Sequence, residues 1–129
     1  MSKQFVIQLS HTPGALAALC RELERQGVDL KAIGGGGIGE VGHVILKTAD
    51  DVKTRAVLEA GSYTFIESES VLAEVDDQPG GMLSVLDRLA AAGVNVYGHL
   101  FMGRWGERAT FAFVVDDPAK ARAALGQEY

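Results

Sequence analysis

Thr12-Pro13-Gly14-Ala15-Leu16 opens a run of helical periodicity that closes on Gly27-Val28-Asp29-Leu30. About 66 residues further on, Gln78-Pro79-Gly80-Gly81-Met82 opens a second run that closes on Gly93-Val94-Asn95-Val96. The same ungapped shift carries Leu23 onto Leu89, Gly37 onto Gly103 and Asp50-Asp51 onto Asp116-Asp117. Register sustained through helix, strand and turn positions marks one module written twice, residues 1–69 and 70–129.

Within the first module, residues 5–9 are β-branched and aromatic and predict a largely buried strand. Thr12 is placed as N-cap with Pro13 in the first helical turn, and Leu16, Leu19, Cys20 and Leu23 recur at the spacing of one helix face. Gly27 supplies a left-handed helix end. A second strand follows through Val28, Leu30 and Ala32, and the glycine run 34–37 reads as a flexible hairpin turn. Residues 41–48 predict a third strand, 52–60 a helix opened by Asp50 and Asp51, and 63–68 a fourth strand. The second module repeats the order with strand 71–76, helix 79–92, strand 94–102, turn 103–106, strand 108–115 and helix 118–125. Its fourth strand would begin near Tyr129, so this half either lacks one or shares strand 63–68. The expectation is an α+β chain of two βαββαβ modules, antiparallel sheets with helices on one face.

A module of about 60 residues sits near the lower limit for independent folding. The 47% apolar and 22% charged composition supplies enough apolar surface for a core and argues against disorder. Cys20 is the single cysteine, so an internal disulfide and a thiolate metal cluster are both excluded, in keeping with a reducing cytoplasm. The start of the chain shows no signal-peptide pattern and no apolar run reaches bilayer length, so a soluble, unexported protein is expected. A net charge of −5 without a basic stripe opposes nucleic-acid binding.

Each half resembles an ACT domain, a small βαββαβ regulatory module that binds amino acids in many metabolic enzymes. The resemblance is carried by residues 10–16 (SHTPGAL) with Gly27-Val28-Asp29-Leu30, and by residues 76–82 (DDQPGGM) with Gly93-Val94-Asn95-Val96. The two modules account for nearly the whole chain, which is closest to stand-alone tandem ACT proteins. The resemblance implies a ligand where two modules meet. By position, His11 and Asp29 in the first module, and Asp77 and Asn95 in the second, would contribute contacts. Independently of the family, a helix N-terminus offers unpaired N–H groups and the positive end of the dipole to a carboxylate. Gly14, Gly80 and Gly81, beside turn residues Thr12 and Gln78, let a ligand approach that backbone. Asp77, with Asp29 or Asn95, can receive an ammonium group. His11 departs from the acidic or amide residue common at its position, which favours the second turn.

Tyr97, His99 and Phe101 alternate with Val96, Gly98 and Leu100. With helices over the Val96 side, the three rings form a strip on the open sheet face, suited to a ligand wall or, the favoured reading, to an interface between protomers. Arg104 and Trp105 lie in a glycine-flanked loop that either closes over a pocket or, the favoured reading, forms an exposed hairpin tip. His11, His43 and His99 form no ligand pair at helical spacing, so no metal or cofactor is expected. Cys20 reads as a core thiol, and the paired aspartates as helix caps. The sequence therefore reads as a non-enzymatic sensor that binds an amino acid and forms a homodimer. The alternative is an interaction or oligomerisation module without a ligand.

Overall fold

Strand β1 (Lys3–Ser10) buries Phe5 and Ile7 on one face, and its neighbour β3 (Val41–Thr48) buries Val44 and Leu46 on the same face. Helix α1 (Ala15–Arg25) covers them with Leu19 and Leu23, and α2 (Asp51–Ala60) with Leu58. Each such side chain contributes roughly 1.5–3 kcal/mol when fully buried. Strands β2 (Leu30–Ile38) and β4 (Phe65–Glu69) complete an antiparallel sheet of order β2-β3-β1-β4. The computed structural model describes residues 3–127, and the chain divides into two units between Ser68 and Glu69.

The second unit contains β5 (Val71–Asp76), α3 (Gly81–Ala91), β6 (Val96–Trp105), β7 (Arg108–Val115) and α4 (Pro118–Ala124). Its sheet has the order β5-β7-β6. Val71, Ala73, Val75, Phe113 and Val115 pack against Val85, Leu89 and Ala121 of the helices. The second sheet thus has three strands among the described residues, and β4 takes its place beside β1 in the first sheet rather than serving both. The point near Tyr129 where a further strand would begin lies outside the described residues.

Three local expectations are corrected. Thr12 does not cap α1: the helix starts at Ala15 behind Gly14, whose left-handed backbone (φ 88°) turns the chain from strand into helix. Gly80 does the same before α3 (φ 89°). The glycine run 34–37 is not a hairpin turn but the body of β2, paired residue by residue with β3. Gly35 belongs there because a Cβ on it would stand 2.2 Å from the His43 carbonyl oxygen. Finally, the repeat is not ungapped. Asp50 caps α2 through the Lys53 N–H (2.9 Å), and its counterpart is Asp117, which caps α4 through the Lys120 N–H (3.0 Å). The extra residue sits in β6, where a bulge between Phe101 and Gly103 leaves Met102 unmatched.

Gly81 follows the turn glycine where the first unit has Ala15. A Cβ there would lie 1.9 Å from the backbone oxygen of Asp76, so the strand-to-helix corner closes more tightly in the second unit. Gly81→Ala therefore destabilises the protein by about 1–3 kcal/mol, the usual cost of overpacking, measured by denaturant unfolding.

At the start and end of the first sheet, Glu67 accepts hydrogen bonds from Arg55 and, at 3.4 Å, from Lys3. The Arg55 hydrogen bond holds the Glu67 carboxyl below its ordinary range, with Lys3 adding to it against the opposing effect of burial. A depressed folded value gives stability that is present above the unfolded carboxylate range and lost as pH falls through the folded one. Glu67→Gln is expected to lower the melting midpoint at neutral pH. The difference from the unaltered protein shrinks as pH falls through the lowered range of the folded carboxyl.

Candidate functional site

A cavity of about 530 Å³ lies at the N-terminal end of α1 in the first unit, with Leu9, His11, Thr12, Leu16, Ile33 and Val44 among the residues around it. Its wall on the β2 side is the backbone of glycines 34–37. Gly35 stands opposite Val44 and Gly37 opposite Gly42, so both lie on the helix-bearing face of the sheet. The His11 backbone N–H donates to the Glu40 carbonyl at 3.0 Å. Its imidazole rests against Gly37, where a Cβ would come within 2.5 Å of Nδ1. The glycine thus permits the ring to lie flat on the strand.

The helix start supplies the polar end of this cavity. Ala15 N–H is engaged with the Thr12 carbonyl, and the first regular helical bond runs from Ala18 N–H to the Gly14 carbonyl. Between them, the N–H groups of Leu16 and Ala17 belong to the set that a helix leaves without an intrahelical acceptor. The positive end of the helix dipole adds to their attraction for an anion. No aspartate or glutamate lines the cavity.

The second corner is built differently from equivalent positions. Asp77 occupies the place of His11, and its N–H donates to the Glu107 carbonyl at 2.8 Å. Its carboxylate accepts from Arg104 Nε at 2.6 Å. Once the bulge is counted, Arg104 stands opposite Ala109 as Gly37 stands opposite Gly42, and Phe101 stands opposite Phe111 as Gly35 stands opposite Val44. The Arg104 guanidinium lies 5.1 Å from the Phe101 ring centroid, and Phe101 meets Phe111 edge-on at 5.6 Å. A concavity of about 420 Å³ persists beside Asp77, Gln78, Met82 and Arg104. The Asp77 carboxylate, the amine receiver expected from the sequence, is thus already bound to a guanidinium.

The polar residues that follow the helices do not join either cavity. Asp29 pairs with Lys31 at 2.7 Å, and the Asn95 N–H donates to Asp116 at 3.0 Å. Neither lines the cavity of its own unit. The structure brings His11, Thr12 and Gly14 together around one cavity and Asp77 and Gln78 around another. Gly80 is the left-handed hinge before α3, and Gly81 is explained by the close Asp76 carbonyl.

The aromatic strip on β6 also changes face. A bulge between Val96 and Gly98 places His99 opposite Phe113 and Phe101 opposite Phe111. Phe113 and Phe111 pack with the helix-side core, so His99 and Phe101 lie on the helix-bearing face, while the opposite face carries the buried Leu100, Ala112 and Val114. Tyr97 sits within the bulge and is half exposed. Trp105 is at the hairpin end, 87% exposed, whereas Arg104 turns back over the second corner. Closure over a pocket, the less favoured sequence reading of this loop, thus describes Arg104, and the exposed tip describes Trp105. The signal for it was present, because Gly39-Glu40 matches Gly106-Glu107 only at a shift one residue longer than the rest of the repeat.

Among the described residues no group of three His, Cys, Asp or Glu side chains is placed to hold a metal, and no helix is long and apolar enough to cross a membrane. Neither a protein-family model nor a curated protein matches the sequence. Solved structures do match in fold. A protein from Bacteroides thetaiotaomicron is 20% identical with a TM-score of 0.73, over 97% of this chain and 86% of that one. The ligand-free regulatory subunit of aspartate kinase from Thermus thermophilus is 16% identical with a TM-score of 0.65, over 97% and 87%. The corresponding subunit from Thermus flavus is 14% identical with a TM-score of 0.66, over 97% and 90%. The chain has the ACT-like α+β fold of these regulatory subunits.

Proposed function

We propose that this protein is an amino-acid-binding regulatory sensor and that the first corner is where it binds. The observation that carries the reading is the cavity at the α1 N-terminus, with glycine backbone along one side and unpaired helical amides at one end. A ligand carboxylate meets the Leu16 and Ala17 N–H groups. Its ammonium meets the oxygen and nitrogen acceptors of Ser10, His11 and Thr12, which line the same cavity. The fold shared with aspartate kinase regulatory subunits supports a regulatory role with no chemistry of its own. Ligand binding then changes association with a second copy or with a partner protein.

A second reading, assembly without a ligand, draws on β5. Among the described residues it ends the second sheet where the first sheet continues into β4, with its Leu72 carbonyl accepting from Gln127 Nε2 at 2.6 Å, and a strand edge invites pairing with another chain. Thermal-shift titration of the full chain with the twenty amino acids separates the two. A ligand selective for the folded state raises the midpoint as its concentration grows, by about 2.7 kcal/mol of stabilisation at a hundredfold excess over Kd.

Gly42→Val tests the location. A Cβ at Gly42 meets only ordinary contacts, the nearest 3.5 Å away, so the variant folds while its branched side chain enters the cavity. It is expected to abolish the shift, whereas Asp77→Ala leaves it intact. No shift with any amino acid at millimolar concentration overturns the sensor reading in favour of assembly.

A further inference from the structure

The two corners of this chain are internal controls for each other, and their differences identify the side chain the ligand carries. In the second unit the helix-bearing face of β6 narrows its corner with the chain's own groups, Phe101 against Phe111 and Arg104 over Phe101 and onto Asp77, leaving a concavity of about 420 Å³. Met82, the first large residue of α3, packs against the core there. In the first unit the corresponding strand side chains are smaller or absent, although the His11 ring lies over Gly37. Gly35 replaces Phe101, Val44 replaces Phe111, Gly37 replaces Arg104, and no carboxylate stands at the Asp77 position. Leu16, the counterpart of Met82, is 45% exposed, and Ile33 at the strand edge is 44% exposed.

Both of these aliphatic side chains line the cavity together with Leu9 and Val44. No Asp, Glu, Lys or Arg does so. A cationic ligand side chain would find no counter-charge, and an anionic one no guanidinium or ammonium group. Apolar surface on Leu16 and Ile33, by contrast, leaves water when an apolar group enters. The cavity, about 530 Å³, has room for a whole amino acid with a side chain up to the size of phenylalanine.

Resting on the proposed sensor reading, we infer that the first corner selects an amino acid with an apolar side chain, from valine to phenylalanine in size. The chain binds one such molecule because the Arg104–Asp77 ion pair lies in the wall of the second concavity and takes up the groups a zwitterion would need there.

Isothermal titration of the full chain with valine, leucine, isoleucine, methionine and phenylalanine, against serine, aspartate and lysine, tests this. The apolar set is expected to bind at least about tenfold tighter than the polar set, with one molecule per chain, since even one methylene in an apolar pocket changes binding about 10–200-fold. Ile33→Ser should narrow that margin by about tenfold with the unliganded melting midpoint little changed. Should Ile33→Ser fold poorly, Ile33→Val provides a smaller loss in the same direction. Tighter binding of aspartate, lysine or serine that Gly42→Val abolishes overturns the selectivity and leaves the sensor reading standing. Two molecules per chain overturn the closure of the second corner. Absence of binding by every amino acid overturns the sensor reading and this inference together.

Discussion

Two left-handed glycines, Gly14 and Gly80, turn a buried strand into a covering helix, and the rest of each unit depends on that turn. A side chain at φ near 90° is strained, so the position demands glycine. The turn brings α1 back over Phe5 and Ile7, and α3 back over Val71, Ala73 and Val75. It also leaves the first helical amides at the end of the sheet, next to the hairpin that follows. The fold and the candidate site therefore have one origin, a backbone conformation that only glycine adopts cheaply.

The two units share this frame while their corners differ. A single residue inserted in β6 shifts the hairpin by one position, which in a strand exchanges the faces of the residues beyond it. Arg104 consequently arrives on the helix-bearing side within reach of Asp77, and the ion pair closes over Phe101. Both partners are about half exposed, so the pair adds little to stability and matters chiefly as an occupant of the corner. The first unit has the shorter hairpin and the glycines, and its corner stays open.

The same comparison separates two meanings of glycine that look alike in sequence. Gly81 is required because the Asp76 carbonyl leaves no room for a Cβ, whereas Gly42 has ordinary space around it and borders the cavity. A glycine near a ligand site can thus be a packing necessity or a shaped absence of side chain. Only the distances to neighbouring atoms distinguish them.

Most of the architecture was legible in the sequence. β-Branched and aromatic content located β1, the repeat carried the strand order into the second unit, helical spacing identified Leu19 and Leu23 as inward, and the Asp50 and Asp117 caps follow from residue chemistry that acts within one turn. What the sequence did not reveal depends on pairing across strands. The glycines of β2 carry no apolar pattern, so their place in the sheet is set by hydrogen bonding to β3. The face of His99 and Phe101, the Arg104–Asp77 pair and the open first corner all follow from bulges and registers decided between distant segments. Local propensity and periodicity are written residue by residue, but a cavity is the space left when separate elements meet, and that only the tertiary structure decides.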